Sequence, residues 1–272
     1  MWKYAALINY VGTQYTGWQK QKGQASHGGP SIQEILDLAL RQVTSEPETK
    51  TVGSGRTDSG VHAAGQVCHF VLKRKEWKTE TLKMGMNTNL PPDIRVVAVR
   101  PVAIEFHAQH KVEKKQYSYY FQQGPCAIPY LEPYSWWIHK PLDLKAMQKA
   151  MDIIQGEHDF LPFQGRKAKA GPTVRTLFEA EITSEPIHFP GQTMTTPEIR
   201  LVRARLVGSG FLKQMVRGIA GTLLQVGEGR RPPEDFAHIL KTLDRGLVGA
   251  TAPAKALWME RIWYDPKWGL NW

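Results

Sequence analysis

The chain has 272 residues, 42% of them hydrophobic, with 35 lysines and arginines against 25 acidic residues. That length favours two packed subdomains over a single core, and no apolar run is long enough for a membrane-spanning helix. The formal charge of +10 points to an acidic partner, and nucleic acid fits it better than a merely soluble basic protein does.

Residues 3–10 read as a first strand, with no signal-peptide layout ahead of it. A polar, glycine-rich loop from Gln21 to Pro30 follows. Ser31 and Glu34 form a capping box ahead of a helix carrying Ile32, Ile35, Leu36, Leu38, Ala39 and Leu40. Strands are expected near 49–54 and 65–72, a helix over about 79–88 stopped by Pro91-Pro92, and a fourth strand over 93–102. This β-α-β-β-α-β order is the ferredoxin-like plan. The second half begins with a long strand over roughly 111–122 and a helix capped by Asp143 that ends at Gly156. Strands near 173–184 and 198–207 follow, then helices over 211–226 and 234–243 and a last strand over 256–264. The domains expected are 1–105 and 106–272.

Cys68 and Cys126 are the two cysteines. Neither sits in a metal-type pair, so a reduced, cytoplasmic protein is expected, with Cys68 a small buried hydrophobe. His62, His69, His107, His110 and His158 show no metal-ligand spacing, and neither a metal nor a cofactor is expected. Basic residues are distributed over a folded surface. Candidate nucleic-acid-binding side chains are Lys111, Lys114 and Lys115, with Arg166, Lys167 and Lys169.

The most informative segment is Gly53-Ser54-Gly55-Arg56-Thr57-Asp58-Ser59-Gly60-Val61-His62. It places one carboxylate between glycines, on a loop held by two strands, where a rigid scaffold presents reactive groups. By composition alone, such an aspartate is more often a turn-former or cap than a catalyst.

Gly55-Arg56-Thr57-Asp58 followed by Gly60-Val61-His62-Ala63 resembles the signature loop of the TruA family of tRNA pseudouridine synthases. Tyr10-x-Gly12, Tyr15-Thr16-Gly17-Trp18-Gln19, Ser31-Ile32-Gln33-Glu34 and Asn87-x-Asn89-Leu90-Pro91-x-Asp93-Ile94 are similar to other landmarks of that family. So are Phe106-His107-Ala108, Lys115-Gln116-Tyr117-Ser118-Tyr119 and Met215-Val216-Arg217-x-Ile219, all in the family's order.

The resemblance implies an α+β pseudouridine synthase fold: two ferredoxin-like subdomains share a continuous antiparallel sheet, with a central cleft and a homodimer around it. It implies isomerisation of uridine to pseudouridine in the tRNA anticodon arm, at about positions 38 to 40, without a cofactor. Asp58 then carries the catalysis, as a nucleophile or a stabiliser of charge at the sugar. Arg56 engages the RNA and helps to extrude the nucleotide. Tyr117 stacks on the target uracil, Arg217 pairs with the catalytic aspartate, and Leu257 packs near the base. By residue pattern alone, Lys213 and Arg217 at i and i+4 equally describe a solvated helix face. Two departures stand out: Gln109 where arginine is common, and Ser59 where alanine is frequent. A hydrolase that cleaves the glycosidic bond and releases the base is one rival reading; a non-catalytic RNA-binding protein and the same chemistry on another RNA are the others.

Overall fold

The computed structural model describes residues 1–19, 29–166, 168, 171–187 and 199–272. Lys167, Lys169 and most of the Gln21 to Pro30 loop lie outside the described residues. The fold is mixed α+β, with five α-helices among the described residues. The chain forms two compact units, one of Met1–Lys115 with Trp258–Trp272, the other of Gln116–Leu257.

In the first unit, β1 (Trp2–Tyr10) is antiparallel to both β3 (His62–Leu72) and β4 (Ile94–Pro101). The short β2 (Val52–Gly53) adds to β3 through Val52↔His69 and Gly53↔Cys68. Helix α1 (Ile32–Thr44) starts on the expected capping box: Ser31 Oγ accepts from the Glu34 amide, and the Glu34 carboxylate accepts from the Ser31 amide at 3.0 Å. Its Ile32, Leu36, Ala39 and Leu40 are buried along one stripe, the leucines and isoleucine each contributing about 1.5–3 kcal/mol by leaving water. Leu36→Asp would remove that contribution and bury a charge. Helix α2 (Thr79–Asn89) buries Leu82 and Met86. Asn87 clamps it to β4 by donating to the Val96 carbonyl at 2.9 Å and accepting from its amide at 2.8 Å.

The strand β10 (Leu257–Tyr264) enters the first unit at Trp258. Trp258 and Met259 pair in parallel with His62 and Ala63 of β3, so the C-terminal residues from Trp258 belong with the first unit. At Gly65 the β10 backbone approaches closely, since a Cβ there would collide with the Glu260 carbonyl. The other limit of the first unit falls within β5 (Val112–Gln123), after Lys115.

In the second unit, β9 (Arg200–Gly208) lies between β5 and β8 (Val174–Pro186), and β7 (Gly156–Asp159) pairs antiparallel with β8. β6 (Trp136–Ile138) runs parallel to β5 from Phe121↔Trp136. Helix α3 (Leu144–Ile153) is capped by Asp143, which accepts from the Ala146 amide at 2.9 Å, and ends before Gly156. That glycine takes φ +95 to begin β7. Helix α4 (Met215–Gly227) is buried on all sides except at Arg217 and Gln225, the pattern of a central core helix. It begins four residues later than the periodicity from Phe211 suggests, because Gln214 adopts the left-handed conformation at φ 59. Lys213 therefore precedes the helix, and the solvated Lys213–Arg217 stripe does not form. Helix α5 (Asp235–Thr242) packs Phe236 flat on Phe163, ring centroids 5.9 Å apart.

Candidate active site

The loop that carries Asp58 is fixed along its whole length by residues of the first unit. On its first limb Ser54 is fully buried and donates to Gln66 Oε1 at 2.5 Å, while Gln66 Nε2 donates to the Gly55 carbonyl at 2.9 Å. Lys115 Nζ donates to the Ser54 carbonyl at 2.8 Å. At its centre the Tyr10 hydroxyl and Thr57 Oγ1 are 2.8 Å apart in a buried hydrogen bond, and the Trp18 amide donates to the Thr57 carbonyl at 3.2 Å. On the last limb Ser59 Oγ donates to the Tyr15 carbonyl at 3.1 Å, and His62 Nδ1 accepts from the Gly12 amide at 2.9 Å. That bond makes Nδ1 the acceptor, and the buried His62 ring stacks on Trp258 at 4.5 Å.

Segments far apart in sequence thus converge on one loop. Tyr15 reaches on to Asp93, donating to Oδ1 at 2.6 Å, and the Ile32 and Gln33 amides of α1 donate to the Gly17 and Trp18 carbonyls. Burial pushes the phenols of Tyr10 and Tyr15 well above their ordinary pKa. Hydrogen bonds from Thr57 and Gln66 oppose that rise at Tyr10, whereas the Asp93 carboxylate adds to it at Tyr15. Both hydroxyls therefore stay protonated and able to donate. Gly17 shows why the opening turn needs glycine: its φ is +97, and a Cβ would strike the Thr57 carbonyl. Of the four glycines in or just after the motif, Gly60 has a positive φ, at 78. Gly53 and Gly65 instead allow close approach, by the Trp18 indole and by the Glu260 backbone.

Within this frame Asp58 is half-buried and Arg56 is exposed. The Asp58 carbonyl accepts from the Val61 amide at 3.2 Å, closing the turn. The departure at Ser59 adds the hydrogen bond to Tyr15 that alanine would lack. Gln109 is exposed, its amide bonded to His107 Nδ1 at 3.2 Å. Of the candidate RNA-binding lysines, Lys111 and Lys114 are exposed, and Lys115 is half-buried beneath the Asp58 loop.

The second unit carries Tyr117, Arg217 and Leu257. Tyr117 is buried, with its ring edge-on to Phe211 at 4.9 Å. Tyr119 and Phe121 are fully buried packing residues, but the Tyr119 hydroxyl also donates to the Pro253 carbonyl at 2.9 Å. Arg217 is half-buried, and its Nε donates to the neighbouring Ala252 carbonyl at 2.7 Å. The Ala252 amide returns a bond to the Arg217 carbonyl at 3.1 Å. Burial raises the Tyr119 phenol far above its usual pKa, and the nearby Arg217 guanidinium partly opposes the rise. Arg217 and Tyr119 together pin residues 252–253, from which a 3₁₀ turn (Ala254–Ala256) leads to the buried Leu257.

Gln66 is a structural part of this arrangement that sequence reasoning missed, and Phe211, expected as the first core position of a helix, lies ahead of α4 and packs against Tyr117. The available signal for Gln66 was a polar side chain inside an apolar strand, which must find a partner when buried. Among the described residues no His, Cys, Asp or Glu side chains are grouped to hold a metal ion, and no helix is long and apolar enough to cross a membrane.

Fold and loop define a mixed α+β protein that presents one aspartate from a rigid scaffold. A family model described as tRNA pseudouridine synthase matches residues 6–111 and 150–265. The chain is 34% identical to tRNA pseudouridine synthase A of Geobacillus kaustophilus over 263 residues, spanning 95% of this chain and 93% of that protein. It is 36% identical to the protein of the same name from Syntrophotalea carbinolica over 261 residues, spanning 96% of each. For the Pseudomonas aeruginosa protein of that name, identity is 35% over 267 residues, spanning 97% of this chain and 86% of that one. The chain belongs to the tRNA pseudouridine synthase family.

Proposed function

We propose that the protein isomerises uridine to pseudouridine in tRNA, at positions 38 to 40 of the anticodon arm. The bond from C1′ to N1 breaks, the uracil turns while held, and C5 joins C1′. C5 gives up its proton and N1 gains one, so nothing is oxidised and no cofactor is required. The observation that carries this reading is the immobilised Asp58 loop in a chain of this family. A carboxylate held at fixed depth can attack the nucleoside or stabilise positive charge at C1′ without spending energy on ordering itself.

In this reading Arg56 engages RNA at the loop and assists extrusion of the target nucleotide. Tyr117 supports the flipped base, Arg217 keeps Asp58 ionised, and Leu257 packs against the uracil. Lys111, Lys114, Lys115, Arg166, Lys167 and Lys169 contact the phosphate backbone. Each unit is a ferredoxin-like subdomain, and the working form is a cytoplasmic homodimer. The basic balance of the chain supports recognition by shape and phosphate.

Carbodiimide labelling with primer extension on tRNA transcripts tests the positions. Stops at uridines 38, 39 or 40 are expected. Pseudouridine confined to other positions would overturn the anticodon-arm assignment and leave the chemistry standing.

A further inference from the structure

A cavity of about 520 Å³ opens within the second unit; Tyr117, Arg217 and Leu257 do not line it, although Gly218 and Thr251 bring it beside the Arg217–Ala252 pair. Buried Pro162 and Phe163, with Val248, give it an apolar floor. Exposed Arg166 and Arg245, with Gln214, give it a cationic and polar rim. Among the described residues no carboxylate lines it. Such a volume is that of a small-molecule site, too small for a helix or a duplex.

Gln214 adds an independent sign that this wall is built for a purpose. Its φ of 59 costs a residue with a side chain about 1–2 kcal/mol. The conformation is held from both sides: the Gly218 amide donates to the Gln214 carbonyl at 2.9 Å, and the Gly165 amide to the Lys213 carbonyl at 2.7 Å. Strain maintained by its surroundings clusters at ligand sites.

Two guanidiniums above an apolar floor match the two halves of a nucleotide. The fork of each arginine suits phosphate oxygens, and the floor, made of Pro162, Val248 and the edge of Phe163, suits apolar contact with a base. We propose that this cavity seats one nucleotide of the bound RNA chain, with its phosphate on Arg166 and Arg245, its base against Phe163 and Val248, and Gln214 on the base edge. The proposal rests on the reading that the chain acts on RNA. It gives the second unit a grip on the strand beyond the target uridine.

The test is a salt titration of tRNA binding for the native protein, the Arg166→Gln/Arg245→Gln double variant and Ala250→Trp. Both arginines and Ala250 are exposed, and Ala250 lines the cavity, so tryptophan there fills the space while the arginines remain. The double variant is expected to flatten the slope of log K against log salt by about 0.7–0.9 and to raise Kd about fivefold at 0.1 M salt, the signature of one lost phosphate contact. Ala250→Trp is expected to weaken tRNA binding as well. If it binds tRNA like the native protein, the arginines act as open surface charge and the cavity proposal is overturned. An unchanged slope in the double variant overturns it too.

Uridine 5′-monophosphate is the free-nucleotide probe. Micromolar binding that the double variant abolishes, with tRNA binding unaffected, would make this a mononucleotide site and refute the RNA assignment. Tritium release from tRNA labelled at uridine C5 is measured on the same samples. A native protein that releases none, yet binds tRNA through these arginines, loses the isomerase reading and keeps the subsite.

Discussion

Lowering the pH should destabilise this protein through one imidazole whose folded environment rejects a proton. His69 is 6% exposed on β3, opposite Val52 of β2, and its Nδ1 accepts from the Ala108 amide at 3.1 Å. Burial, reinforced by the positive charges of Lys3, His107 and His110, lowers its pKa from 6.5 to about 4. Well above pH 6.5 the ring is neutral in both folded and unfolded chains and contributes no pH dependence. As the pH falls below 6.5 the unfolded chain takes up a proton that the folded chain refuses, so stability drops. The loss saturates near pH 4, where the folded state protonates as well. Linkage gives about 2 kcal/mol lost at pH 5 and about 3 kcal/mol at pH 4, a large share of a typical 5–15 kcal/mol total. His107, lowered in the same direction by burial and by His110, adds to the trend. Urea unfolding at pH 7, 6, 5 and 4.5 measures it, with His69→Asn as the comparison, since asparagine Oδ1 can still accept from the Ala108 amide. The variant is expected to show a shallower decline, with the difference in slope confined between pH 6.5 and 4. Identical declines in the two proteins would refute the assignment to His69.

Gly17→Ala should cost about 2 kcal/mol, because it demands a positive φ of a residue with a Cβ and drives that Cβ into the Thr57 carbonyl; thermal melting measures the loss, and isomerase activity is expected to fall with it. Arg217→Lys keeps the charge but loses the Nε bond to the Ala252 carbonyl. Turnover on tRNA should fall at least about tenfold with tRNA affinity nearly unchanged, the pattern of an interaction made in the transition state; a change in affinity alone would contradict it.

Much of this architecture was legible because its signals are local. Ser31 and Glu34 announced the start of α1, Asp143 that of α3, and apolar strand segments over 3–10 and 65–72 marked β1 and β3. The aspartate loop stood out by its glycines and charge. What sequence could not show was set by distant partners. The apolar spacing from Phe211 suggested a longer α4, yet Gln214 is held left-handed while its neighbour Lys213 is bonded to Gly165, and the helix starts at Met215. The partners of the C-terminal strand, His62 and Ala63 among them, are far away in sequence and leave no local signal. β6 is three residues long and too short to show a period. At the site, the landmarks around Tyr10, Tyr15, Gly17 and Trp18 were visible as motifs. Their common purpose, holding the Asp58 loop, appears only when the fold brings them together.

The most direct test of the account compares tritium release from tRNA labelled at uridine C5 by the native protein and by Asp58→Asn, with tRNA binding measured on both. Release by the native protein, none by the variant and binding by each are the predicted results. Release from Asp58→Asn at the native rate would contradict the central claim, that this loop exists to hold the carboxylate of Asp58 for the isomerisation.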